Sequence, residues 1–217
     1  MAGAGCVEGV AARVCVNTIL CNDKNHPIWP KLYEFAASRG LHLTNLLSRC
    51  TGGDFLFLVS CTQYVDSAIR GRYKHVLVLH ESDLPKGRGW SPVAWQILDG
   101  KDTIRVTLLE AVDNIDAGDI WAQEDVYIPN HALADEISTR IWAAKRRLME
   151  KALFTPITPK KQEGLATYYS RRTPLDSRLD PNKTIVEQFN LLRICEPRFP
   201  AFFDLNGFRY QVTVRKA

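Results

Sequence analysis

No stretch of this chain approaches the ~20 consecutive apolar residues that a membrane-spanning helix needs. The first dozen residues include Glu8 and hold no apolar core of the export type, so a cytoplasmic protein with no membrane partner is expected. There is no CxxC pair either. Cys6, Cys15, Cys21, Cys50, Cys61 and Cys195 are scattered without metal-ligand spacing, and Cys15, Cys21 and Cys61 lie within or beside apolar runs, which points to reduced, packed thiols and no metal. A large excess of either charge is absent: 28 Lys and Arg against 24 Asp and Glu leave a net +4 spread along the chain. Such an excess suits an anionic small molecule and is too thin for a nucleic-acid stripe. Neither a GxGxxG nor a Walker A glycine loop follows any predicted strand, which argues against the usual dinucleotide and P-loop binders. No internal repeat is visible.

What the sequence does contain is an ordinary 46% hydrophobic content over 217 residues, enough for one substantial domain. Val14 to Leu20 predicts a buried strand, and Trp29, Leu32, Tyr33, Phe35 and Ala36 form the apolar face of a helix that Gly40 stops. Phe55 to Val59 and Val76 to Leu79 are short continuous apolar runs, as expected of parallel strands covered on both faces. A short helix is expected between 65 and 72. Ser91-Pro92 resembles an N-cap followed by an N1 proline, opening a helix to Ile97 or Leu98 that Gly100 ends. Thr103 to Leu109 returns as a strand. The longest helix is predicted from Ala132 to Phe154, with Leu133, Ile137, Ile141, Ala144, Leu148 and Ala152 as its buried stripe and Lys145-Arg146-Arg147 as a solvated face.

The predicted organisation is a catalytic domain over 1–154 and a wrapping segment over 155–217. Thr155 to Asp180 is polar and proline-interrupted. Thr184 to Glu187 offers a capping box for a helix ending near Cys195, and Asn206-Gly207 turns a terminal hairpin. Phe199, Phe202, Phe203 and Phe208 suit either a cover over the monomer core or a homodimer contact.

The pairing hardest to explain as packing is His80 with Asp116. His80 closes an apolar run where a strand leaves an α/β sheet, the position at which such sheets bind ligands. Pro85 and the glycines of Lys86-Gly87-Arg88-Gly89 prevent the strand from continuing. A histidine titrates near neutrality and can take a proton from an attacking amine, and a nearby carboxylate can fix its tautomer. Asp116, in the tight Ile115-Asp116-Ala117-Gly118 turn, is a candidate carboxylate. A structural histidine and a turn aspartate bonding local amides are the alternatives, and Asp113 and Asp119 are neighbouring carboxylates.

From His80 to Trp121 the sequence resembles the formyltransferases that use 10-formyltetrahydrofolate. The resemblance rests on His80-Glu81-Ser82-Asp83-Leu84-Pro85, Arg88-Gly89, Pro92 and Val112 to Ile120, and extends more loosely over Thr167 to Pro174 and Gln188 to Arg193. It is greatest to the sugar N-formyltransferases, in the His-Glu-Ser-Asp-Leu-Pro and Gly-Arg-Gly-Trp-Ser-Pro patterns. It implies an α/β, Rossmann-like domain with a mostly parallel sheet and a short C-terminal helix and hairpin extension. His80 would handle the proton, with Asp116 as its partner. Val112, Asp113, Asn114, Ile115 and Asp116 would line the folate donor, with Gln63, Tyr64 and Val65 opposite; Arg88, Gly89 and Trp90 would face the acceptor. The implied partners are 10-formyltetrahydrofolate as donor and a nucleotide-linked aminosugar as acceptor, the sugar, carrier and amine being left open. A tRNA acceptor is disfavoured by the absence of a further C-terminal domain and of a basic tail. One departure stands out. Where the family has an asparagine donating to the developing oxyanion, two positions before the histidine, this chain has Val78, and losing such a donor commonly costs ~10²–10³ in turnover. Ser82, a candidate catalytic residue, Ser60, Thr62, Gln63 or a backbone amide would have to replace it. Hydrolysis of the formyl donor and non-catalytic folate binding are the competing functions.

Overall fold

A computed structural model describes residues 16–217. Cys6, and Val14 and Cys15 of the predicted first strand, lie outside the described residues. The central sheet is built from β1 (Thr18–Leu20), β2 (His42–Thr44), β3 (Gly53–Leu58), β4 (Tyr73–His80), β6 (Thr103–Glu110) and β7 (Ile120–Tyr127), in the order β2-β1-β3-β4-β6-β7. The first four are mutually parallel, and β6 and β7 run antiparallel beyond β4. This is the expected α/β architecture.

Two apolar layers explain why β3 and β4 are nearly continuous in hydrophobic residues. On one face Phe57, Leu77 and Leu79 pack under Leu32, Phe35 and Ala36 of α1 (Trp29–Arg39) and under Ile137, Ile141, Ala144 and Leu148 of α4 (Ala134–Phe154). On the other, Leu56, Leu58 and Val76 meet Leu20, Cys50, Val65 and Tyr73. Tyr33, expected on the buried face of α1, is instead 65% exposed. α2 (Ser67–Arg70) is a single turn capped by the Asp66 carboxylate. β7 carries no sequence signal because Gln123, Glu124 and Asp125 interrupt it; as the last strand of the sheet it pairs Asp125 with Arg105 and Glu124 with Arg147.

Between β4 and β6 the chain forms the two-residue β5 (Arg88–Gly89) and α3 (Pro92–Leu98). Ser91 does not cap α3 as expected. Its backbone is left-handed (φ 51°) and its side chain bonds no helix amide. After α4 the chain returns across the sheet's open end, where β8 (Tyr168–Tyr169) pairs with β5. Thr184 and Glu187 exchange the hydrogen bonds of a capping box, at 2.8 and 3.3 Å. They close a turn, and α5 (Phe189–Ile194) begins two residues later. β9 (Ala201–Leu205) and β10 (Phe208–Val212) form the expected hairpin, with Asn206 and Gly207 at φ 52° and 83° as its type I′ sequence requires. Phe202 is buried and Phe203 stacks on Tyr210, so of the hairpin aromatics Phe208 is the most open to solvent. No helix of the described residues is long and apolar enough to cross a membrane.

Candidate active site

β4 delivers His80 to the sheet's open end, where its side chain is 7% exposed. Its Nε2 lies 2.8 Å from the Gly87 carbonyl oxygen. A carbonyl can only accept, so Nε2 carries a proton, and in the neutral imidazole the lone pair is on Nδ1. Nδ1 faces Asp116 Oδ2 at 3.5 Å, and that carboxylate is also buried, at 9%. The pairing suits proton uptake. A neutral imidazole presents a lone pair beside an anion, and once Nδ1 gains a proton the same contact becomes charge-assisted.

The turn bearing Asp116 is held from three sides. Asp116 sits at φ 51°, a conformation aspartate tolerates. A Cβ on Gly118 would fall 1.9 Å from the Glu110 carbonyl oxygen, so only glycine allows the 111–119 loop to close against the end of β6. The Gly89 amide donates to Asp116 Oδ2 at 2.9 Å. Gln162, from the returning segment, donates to the carbonyls of Asp116 and Gly118, each at 2.8 Å, and accepts from Arg88 at 2.7 Å. Nothing in the sequence around Gln162 signals this role.

His80 and Asp116 open onto a cavity of about 980 Å³. Gln63, Tyr64 and Val65 line it, as do Val112, Asn114 and Ile115. Tyr64 and Ile115 leave 62% and 60% of their surfaces uncovered, apolar area suited to a flat ring. Asp113 does not line the cavity. It is ion-paired with Arg70 and accepts from Tyr64 Oη at 3.2 Å, and the Arg70 guanidinium holds its pKa below the usual carboxylate range. Gly89 and Trp90 line the cavity, whereas the Arg88 guanidinium is turned to Gln162.

Val78 lines the cavity beside His80 and brings no donor. Ser82, expected as a replacement, is outside the lining. It is 1% exposed, and its carbonyl accepts from Thr107 Oγ1. Ser60, Thr62 and Gln63 do line the cavity. Thr62 is engaged with Asn22 through two hydrogen bonds of 2.7 and 2.9 Å. The side chains of Ser60 and Gln63 bond no other described residue. Burial pushes the Cys61 thiol of the same wall upward, which keeps it a poor nucleophile.

A second charged pair shares the cavity. Lys145, expected on a solvated face, is 3% exposed within the buried stripe of α4 and forms an ion pair with Glu81. Burial pushes the Glu81 pKa up, the Lys145 ammonium and then His80 pull it down, and the net direction is below its ordinary value.

Residues 34–153 match the formyl transferase family model, more than half of the chain. The fold resembles a methionyl-tRNA formyltransferase from Clostridium thermocellum, with a TM-score of 0.80 and 21% identity over 93% of each chain. A sugar N-formyltransferase from a Shewanella species matches with a TM-score of 0.68 and 17% identity, over 92% of this chain and 97% of the other. HypX from Aquifex aeolicus in complex with tetrahydrofolic acid matches at 0.74 and 17% identity, over 92% of this chain and 37% of that one. A mostly parallel sheet ending in a buried histidine and carboxylate, together with the family match over its core, makes this chain a member of the formyl transferase family, a formyl-transferring enzyme.

Proposed function

We propose that this protein transfers a formyl group from 10-formyltetrahydrofolate to the amine of an aminosugar. The observation that carries the reading is His80 Nδ1 lying 3.5 Å from a buried carboxylate, both residues lining a cavity large enough for two substrates. The donor supplies an electrophilic formyl carbon, and the tetrahydrofolate complex of a structural relative supports a folate in this role. Tyr64 and Ile115 provide apolar surface for the pterin ring, and Asn114 provides a polar group at its edge.

The amine lone pair attacks the formyl carbon and pushes the carbonyl electron pair onto oxygen; when that pair returns to re-form the carbonyl, the bond to the folate nitrogen breaks. His80 Nδ1 takes the proton the amine sheds, and the folate nitrogen recovers one on leaving. Asp116 stabilises the imidazolium between the two transfers. Charge developing on the formyl oxygen needs a donor that Val78 cannot give. Ser60 and Gln63, which line the same cavity with uncommitted side chains, are the side chains proposed for it.

The test is an assay with 10-formyltetrahydrofolate and a panel of nucleotide-linked and free aminosugars, following folate release and formylated product together. Formylated aminosugar is the expected outcome. Folate release without an acceptor would identify a hydrolase, and folate binding without turnover a non-catalytic module.

A further inference from the structure

A second cavity, of about 490 Å³, lies on the face of the sheet that α1 and α4 cover, at the C-terminal end of α4. Among the described residues only Glu110 lines both this cavity and the larger one. Three rings meet in it. Phe55 and His75 are partners in the β3–β4 register, with ring centres 5.3 Å apart, and Trp121 closes the corner, 4.7 Å from His75 at 68° and 6.1 Å from Phe55 at 84°. Trp121 gets there through a β-bulge. β6 and β7 pair Leu108 with Ala122 and Leu109 with Ile120, which leaves Trp121 as an extra residue, and a bulge of this kind re-aims the side chain it carries. Main-chain bonds between Ile120 and Lys160, at 2.7 and 2.8 Å, then hold the segment leaving α4 alongside.

The rings are not packed as an ordinary core. Trp121 Nε1 and His75 Nδ1 are buried without a hydrogen-bond partner, a cost that aliphatic side chains at these positions would avoid. Glu110 Oε1 lies 3.8 Å from His75 Nδ1, too far for a hydrogen bond, and its side chain is partly open to solvent. Among the described residues it is the one carboxylate on the lining, and no lysine or arginine joins it. Phe154 and Thr155 add the C-terminus of the 21-residue α4, the negative end of its dipole, while Lys151, the cation of its last turn, is outside the lining. Ring faces, carboxylate and helix end all favour positive charge. A cation with an apolar coat fits them better than a bare metal ion, because one carboxylate and three rings supply too few oxygens to replace a hydration shell.

We propose that this cavity binds a small organic ammonium ion, quaternary or methylated, whose charge rests against the Phe55, His75 and Trp121 rings with Glu110 as counter-ion. The Glu110 amide donates to the Asp119 carbonyl at 2.9 Å and its own carbonyl abuts Gly118, so the occupant bears on the loop that carries Asp116. The site does not depend on the function proposed above.

Calorimetry on the whole protein with choline and with 3,3-dimethylbutan-1-ol, its neutral carbon analogue, tests the site. Choline is expected to bind with a Kd at or below ~1 mM and ~10-fold or more tightly than the alcohol. Trp121→Leu is expected to weaken choline ~10-fold and Trp121→Phe only ~2- to 3-fold, since the second keeps a ring face. Glu110→Gln, which removes the charge and little else, should cost ~5-fold or more. Phe55→Leu, expected to cost ~3-fold or more, decides together with Glu110→Gln if Trp121→Leu fails to fold. Neither Trp121 nor Phe55 lines the larger cavity, so a loss in their variants locates the cation. The alcohol binding as tightly as choline would reduce the site to an apolar crevice and overturn the proposal. Choline bound equally well after the ring and Glu110 substitutions would place the cation elsewhere and overturn it too, as would no binding up to ~10 mM.

Discussion

His80 has one nitrogen committed to the Gly87 carbonyl and one free beside Asp116. Replacing His80 with asparagine is expected to lower turnover by ~10²–10⁴ while folate affinity changes only a few-fold, because the role proposed for the lost group is to move a proton and not to anchor the donor. Asp116→Asn should also act on kcat. Its amide oxygen can still accept from Gly89, but the charge that favours the imidazolium is gone. Asp113→Asn makes the contrast: outside the cavity and bound to Arg70 and Tyr64, it should raise the donor KM with little change in kcat. Steady-state kinetics on the three variants separates these outcomes, and a kcat defect confined to Asp113→Asn would reverse the assignment. For the oxyanion, alanine at Ser60 or Gln63 is expected to cost ~10-fold or more in kcat, worth at least ~1.4 kcal/mol of transition-state binding, while Ser82→Ala costs none. If neither Ser60 nor Gln63 matters, backbone amides are the remaining donors. That His80 and Asp116 would meet was legible in the sequence because a strand end and a tight turn fix where a backbone goes. The sequence could not show where Arg88 and Asp113 point, since Gln162 and Arg70, both distant in sequence, set those directions.

At the level of elements, α4 was legible in extent but not in one of its side chains. Position 145 follows Ile141 by four residues and precedes Leu148 by three, so helical geometry places it on the buried stripe, although the adjacent Arg146 and Arg147 make the run look solvated. What keeps Lys145 there is Glu81 at the end of β4. Lys145→Met is expected to destabilise the protein by ~3–5 kcal/mol, because it leaves a buried carboxylate unpaired; adding Glu81→Gln should recover much of that loss. The pH dependence gives a second reading. The wild-type Glu81 pKa lies below its ordinary 4.5, so the stability it contributes is fully present above that value and is lost as pH falls through the lower folded pKa. In Lys145→Met the unpaired, buried Glu81 should have a raised pKa, so acidification favours the folded variant. The stability gap between the two proteins should therefore narrow from pH 7 towards pH 4, as denaturant titrations at each pH would measure. A constant gap would mean that the ion pair does not hold Glu81 ionised.

Across the whole molecule, the purpose of the polar residues after α4 could not be anticipated from the sequence, because it depends on carbonyls about forty-five positions upstream. Gln162 is the main example: its amide joins Asp116, Gly118 and Arg88 across three separate stretches of chain. Gln162→Ala is expected to lower kcat ~10- to 100-fold by letting Asp116 drift from His80 Nδ1, with a small change in thermal stability, since it removes little apolar contact. Gln162→Glu should be worse, because its carboxylate would face two carbonyl oxygens that had received hydrogen bonds. Arg88→Ala should be milder, since the donors to both carbonyls remain. That order, Gln162→Glu below Gln162→Ala below Arg88→Ala in kcat, distinguishes support of the Asp116 turn from support of the arginine. Were Arg88→Ala as damaging as Gln162→Ala, the amide would act through the acceptor-side loop, and the returning segment would govern acceptor placement instead of the geometry of the proton-transfer pair.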